Sequence, residues 1–182
     1  MSDPITLSPD PRGSGHPADR EHVLLLSQLD AQRRHVLGIL AGLDDAALRR
    51  PVLPSGWSCL GLVRHLTLDC ERFWFRCVVA GEREPIDALD GVGNAWQVDA
   101  DVPAATVLDD YRDAIDRANA VIAATPLSAA PAWWPAGLFG EWRLHDLREV
   151  LLHMITETAC HAGHLDAARE LIDGRTWLVL TG

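Results

Sequence analysis

The sequence predicts an all-α fold, a four-helix bundle with long loops and a short extended C-terminal tail. Apolar residues recur at helical spacing in four long stretches. Proline, glycine and capping residues punctuate the chain between them. With 182 residues and 48% hydrophobic content, the chain is sized for one domain around a single core.

Residues 1–18 are rich in Pro, Gly, Ser and Asp and read as a flexible arm ahead of one domain over 19–182. A first helix is expected from Asp19 to Ala41, with Leu25, Leu29, Val36, Ile39 and Leu40 along its apolar stripe. Asp44 to Arg49 reads as a short extra turn, and Pro51, Pro54 and Gly56 mark a loop. Ser58 suits the N-cap of a second helix over Cys59–Ala80, closed by Gly81. Residues 82–102, containing Gly91, Gly93 and Trp96, are expected as one long loop. A third helix spans Pro103 to Ala124, burying Val107, Leu108, Tyr111, Ile115, Ala118 and Ile122. Three prolines then break a segment that carries Trp133, Trp134, Phe139 and Trp142. The fourth helix runs from Leu144 to Ile172 and stops at Asp173-Gly174. The apolar run Thr176–Leu180 predicts a β-like tail that crosses the bundle or pairs with another chain.

A formal net charge of -10 argues against nucleic acid and anionic membrane as partners. All sixteen basic residues are arginine, so no lysine is present to form a Schiff base. The first residues lack the basic and apolar regions of a signal peptide, and no apolar run is long enough to span a bilayer. A cytoplasmic protein is expected. Cys59, Cys70, Cys77 and Cys160 form no C-x-x-C pair and are expected as small buried side chains of helices. Cys160 adjoins His161, but neighbours on a helix point about 100° apart, which argues against a shared role.

The C-terminal helix carries the sharpest chemical signal. His153, Glu157 and His161 follow one another at i, i+4 and i+8, so their side chains stack near one face. His164 lies one turn beyond His161, and His65 sits in the second helix. Imidazoles and one carboxylate converging between packed helices make a transition-metal site. The same spacing also suits a buried hydrogen-bond network without metal, provided that every group is paired.

Residues 55–67 (SGWSCLGLVRHLT), followed by 71–76 (ERFWFR), resemble the second-helix region of the DinB/YfiT-like superfamily, and more narrowly its actinobacterial branch. Residues 152–172 (LHMITETACHAGHLDAARELI) resemble that branch's last helix. The resemblance extends over most of residues 20–175. It implies a four-helix bundle with a divalent metal held by one side chain of the second helix and two of the last, four residues apart. Here these are His65, Glu157 and His161. The His-Glu-His set is similar to that of mycothiol-dependent maleylpyruvate isomerase, whereas many DinB-like proteins have histidine at the position of Glu157. Many relatives follow the last ligand with Arg-Gly-Gln; here Ala162-Gly163-His164 stands instead.

The implied activity is a thiol transfer or isomerisation, in which a metal-activated low-molecular-weight thiol, mycothiol, attacks a small electrophile. His153 and His164 are the candidates for moving a proton or orienting a ligand. Asp69, one turn beyond His65, is placed to accept from its ring. Arg64, Arg143, Arg148 and Trp57 are candidate contacts for the thiol's polar groups. Zinc is the expected metal, and nickel could enter during purification. Metal-dependent hydrolysis, with His153 or His164 as base, is the competing enzymatic reading. A non-catalytic metal-binding stress or partner protein is the third. A homodimer is expected.

Overall fold

The computed structural model describes residues 17–91 and 93–178, and the expected arm falls almost wholly outside them. Four long helices build the bundle. Helix α1 spans Pro17–Leu40, α3 starts at Cys59–His65 and continues through Leu66–Val79, α5 spans Ala104–Ala124 and α6 spans Leu147–Asp173. Two short helices, α2 (Asp45–Arg49) and α4 (Arg83–Asp87), lie between them. Helix α1 packs chiefly on α6, and α5 on α3. Leu29 and Ile39 of α1, Leu62 and Phe75 of α3, Ile122 of α5 and Met154 of α6 are sealed from solvent in one core cluster.

Side-chain caps set three of the helix starts. Asp44 accepts from the Ala47 amide, Ser58 from the Gly61 amide and Asp146 from the Glu149 amide. Gly174 closes α6 in the left-handed conformation with φ 76°. Arg169 is buried on α6 and donates to the carbonyls of Ile39 and Ala41, covering acceptors that the end of α1 leaves unpaired.

The second helix departs from the expected α-helix. From Leu66 to Val79 it is a π-helix, with bonds running from residue i+5 back to i, as in Ala80 N to Phe75 O at 2.9 Å. The change of register starts immediately after His65. Widening the turn brings residues i+4 and i+5 together beneath residue i. Asp69 and Cys70 accordingly both lie against the His65 ring.

Two further expectations are corrected. The loop over 82–102 contains helix α4 and a 3-10 turn at Leu89–Gly91. Pro85 falls in the first turn of α4, where its missing N–H costs nothing. The tail forms no strand among the described residues. Instead the amides of Trp177 and Leu178 donate to the buried Asp166 carboxylate, and the Trp177 indole donates to His35 on α1. Gly38 makes room for that indole, because a Cβ there would lie 2.4 Å from it. The tail therefore crosses the bundle; residues 179–180 lie outside the described residues.

Candidate metal centre

Helices α3 and α6 bring His65, Glu157 and His161 together, with one donor atom from each lying within 4.8 Å of the others. His161 Nε2 is 3.1 Å from Glu157 Oε1, and His65 Nε2 is 4.0 Å from the same oxygen. Donors at about 2.0–2.2 Å from a tetrahedral ion stand roughly 3.3–3.6 Å apart, so the set fits a divalent ion with small side-chain adjustments. With one carboxylate and two neutral imidazoles, such a centre would carry a charge of about +1, favouring an anionic further ligand.

The neighbours of His65 fix its orientation. Its Nδ1 lies 2.9 Å from Asp69 Oδ2, which holds the proton on Nδ1 and leaves the Nε2 lone pair facing Glu157 and His161. The Trp96 ring stacks on the imidazole at 4.3 Å between centroids. Trp96 reaches this position because Gly61 has no side chain: a Cβ there would sit 2.1 Å from the Trp96 carbonyl oxygen. Arg64 secures the same loop by donating to the carbonyls of Asn94 and Gln97.

Replacing Asp69 by alanine is expected to lower metal affinity about 10–100-fold without unfolding the protein, since its carboxylate is half exposed. Competition with a chromophoric chelator checks this. Gly61→Ala is expected to push the Trp96 backbone off α3 and expose His65, read as increased quenching of tryptophan fluorescence by acrylamide.

On the far side of Glu157 a cavity of about 680 Å³ opens. Its wall includes Phe73, Trp74, Trp133 and Phe139 together with Asp69, Cys70, His153 and Glu157. The His153 ring meets Trp74 at 4.8 Å and Trp142 at 5.5 Å. Trp133 is anchored by its amide, which donates to the Val78 carbonyl.

Burial pushes the imidazoles of His153 and His161 below the ordinary histidine value; nearby His65 adds to the effect at His161, and Glu157 opposes it at both. At neutral pH both rings are neutral. The unfolded chain binds these protons first as pH falls through about 6.5, so the metal-free protein loses stability on acidification below that point. A lower urea midpoint at pH 5.5 than at pH 7.5, with the difference reduced in His153→Asn, is the expected result.

The other expected residues are distributed around this centre. His164 is exposed, with its Nδ1 3.5 Å from His161 Nδ1 and its ring 6.3 Å from Trp57. Arg143 lies over Trp134, and Arg148 pairs with Glu21 and Asp146. Cys59, Cys70 and Cys77 are buried as expected, whereas Cys160 is exposed on α6. Burial raises the thiols of Cys59 and Cys77 to about 11 and that of Cys70 well above its ordinary value. These three stay protonated and are poor nucleophiles. The cavity-lining role of Phe73, Trp74 and Phe139 is not visible in the sequence. The 71–76 segment carries two of these residues, but what they face depends on the connection between α5 and α6.

None of the described helices is long and apolar enough to cross a membrane. No curated protein and no solved structure matches the chain. The model of the mycothiol-S-transferase family matches residues 24–174, which include α2 to α6 and every residue of the His65–Glu157–His161 cluster. The chain belongs to the mycothiol-S-transferase family.

Proposed function

We propose that the protein transfers mycothiol to a small electrophile at a divalent metal held by His65, Glu157 and His161. The observation that carries this reading is the convergence of those three donors beside a cavity large enough for a small molecule. When bound, the ion supplies the Lewis acidity that lowers a thiol's pKa and delivers it as thiolate. Zinc suits the mixed nitrogen and oxygen donors, and the same donors take up nickel from affinity resins.

The chain's own groups then have separable tasks. Asp69 and Trp96 hold the His65 ring, and His164 orients His161 from its other nitrogen. His153, neutral and on the cavity wall, takes the thiol proton as general base. Trp57 and Arg143 are the proposed contacts for mycothiol. Arg64 serves by fixing the Trp96 loop, since its guanidinium is occupied by backbone carbonyls. The reading requires neither nucleic acid nor membrane and places the protein in the cytoplasm. A homodimer is part of it, supported by the exposed Val23 and Leu24 on α1 and Leu178 of the tail.

The test is thiol consumption by untagged protein given mycothiol and an electrophile. Activity should vanish with a chelator, return with zinc and fall sharply in His153→Asn. Transfer that survives complete metal removal would contradict the reading. Family membership favours thiol transfer over hydrolysis by activated water.

A further inference from the structure

We infer that the aromatic cavity beside Glu157 is the electrophile's subsite and that it selects uncharged, flat acceptors while rejecting anionic ones. The inference rests on the thiol-transfer reading and adds the substrate class. Four aromatic rings form the wall: Phe73 and Trp74 from α3, with Trp133 and Phe139 from the connection between α5 and α6. Trp74 and Phe139 are stacked, 5.6 Å apart and inclined by 16°, while Phe73 meets both edge-on. Flat faces and edges of this kind favour planar apolar ligands.

Charge supplies the selection. Among the described residues, the carboxylates of Asp69, Asp90 and Glu157 line the cavity and no arginine does. The chain has no lysine. Of the arginines nearest in sequence, Arg72 approaches Glu84, and Arg143 lies over Trp134, outside the wall, where it is the proposed contact for mycothiol. His153 is the one basic side chain among the described residues of the wall, and its ring is held between Trp74 and Trp142. With a thiolate on the ion, the centre held by His65, Glu157 and His161 is neutral, so a carboxylate entering this space meets Asp69 and Asp90 and finds no cationic partner among the described wall residues. Asp90 sits exposed in the 3-10 turn after α4, where it can be changed without disturbing the core.

The test pairs two acceptors of similar shape, chlorodinitrobenzene and its ring-carboxylated analogue chlorodinitrobenzoate. In each, the thiolate sulfur attacks the carbon bearing chlorine. The C–S bond forms, the C–Cl bond breaks, chloride leaves with the bonding pair, and the thiol proton passes to His153 and from there to solvent. After subtraction of the uncatalysed rates, kcat/KM should favour the neutral acceptor at least about tenfold. Asp90→Arg should narrow that ratio several-fold by raising turnover of the anion. Equal use of both acceptors, or a ratio unmoved by Asp90→Arg, would overturn the inference.

A second readout separates the two levels of the argument. Metal-free protein is titrated with the unreactive dinitrobenzene and dinitrobenzoate by ligand-observed NMR, together with Trp74→Ala. Binding of the neutral compound alone, weakened in Trp74→Ala, supports the subsite even if no transfer is seen, in which case the thiol-transfer reading fails instead. Equal binding of both compounds, or of neither, overturns the subsite even when transfer to other electrophiles persists.

Discussion

Replacing Arg33 by alanine is expected to destabilise the fold by about 3–5 kcal/mol, a large share of the roughly 5–15 kcal/mol that holds a domain of this kind together. Arg33 on α1 is 1% exposed and Glu71 on α3 is 1% exposed. The guanidinium binds both carboxylate oxygens, Nε to Oε1 at 2.7 Å and Nη2 to Oε2 at 2.6 Å. Its Nη1 reaches Asp30 on the same helix and Asn119 on α5. One side chain thus ties three of the four long helices together. Burial pushes the Glu71 carboxyl up, and Arg33 acts against that rise. Without Arg33, Glu71 is left buried and unpaired and takes up a proton. Urea unfolding at neutral pH should show the loss. The double change Arg33→Leu with Glu71→Leu should cost less than Arg33→Ala alone, because it removes both charges and refills the space. A loss below about 1 kcal/mol in Arg33→Ala would contradict this account of the core.

The second large effect is expected at the metal. Glu157→Ala removes the only carboxylate among the three donors. If binding is worth about 10–16 kcal/mol spread over three or four donors, each supplies roughly 3–5 kcal/mol, or two to four powers of ten in affinity. The local charge also rises from about +1 to +2, so a bound thiolate would leave it uncompensated. Glu157 is 37% exposed at its side chain, and the fold itself should tolerate the change. Untagged wild-type protein should hold near one divalent ion per chain after repletion and gel filtration, and Glu157→Ala, His65→Ala and His161→Ala should hold none. Retention of metal by all three would place the ion elsewhere.

The long helices were legible because burial imposes a period that residues display directly. Leu29, Val36 and Ile39 repeat on α1, and Ser58, Gly81 and Gly174 mark helix ends. The i, i+4 spacing also exposed Glu157 with His161 and His65 with Asp69, since both pairs sit within single helices. Contacts between distant segments were not legible. Arg33 and Arg34 look alike as a basic pair, yet one is buried against Glu71 and the other is exposed. The π-helical register after His65 leaves no mark in the hydrophobic pattern, because it changes backbone partners without changing residue types. Helix α4 was hidden by its proline, and the tail's apolar run resembled a strand although Asp166 and Gly38 draw it onto the bundle. The cavity joins Phe73 and Trp74 to Trp133 and Phe139 across about sixty residues, which only the folded topology brings together.

In the proposed reaction a thiol meets a metal held by His65, Glu157 and His161. The most direct measurement is the absorption spectrum of cobalt-substituted protein titrated with mycothiol. A thiolate-to-cobalt charge-transfer band that grows to saturation at one thiol per chain, and is absent from Glu157→Ala loaded with the same ion, is the predicted result. A cobalt spectrum unchanged by mycothiol would show that the thiol does not reach the metal and would contradict the account.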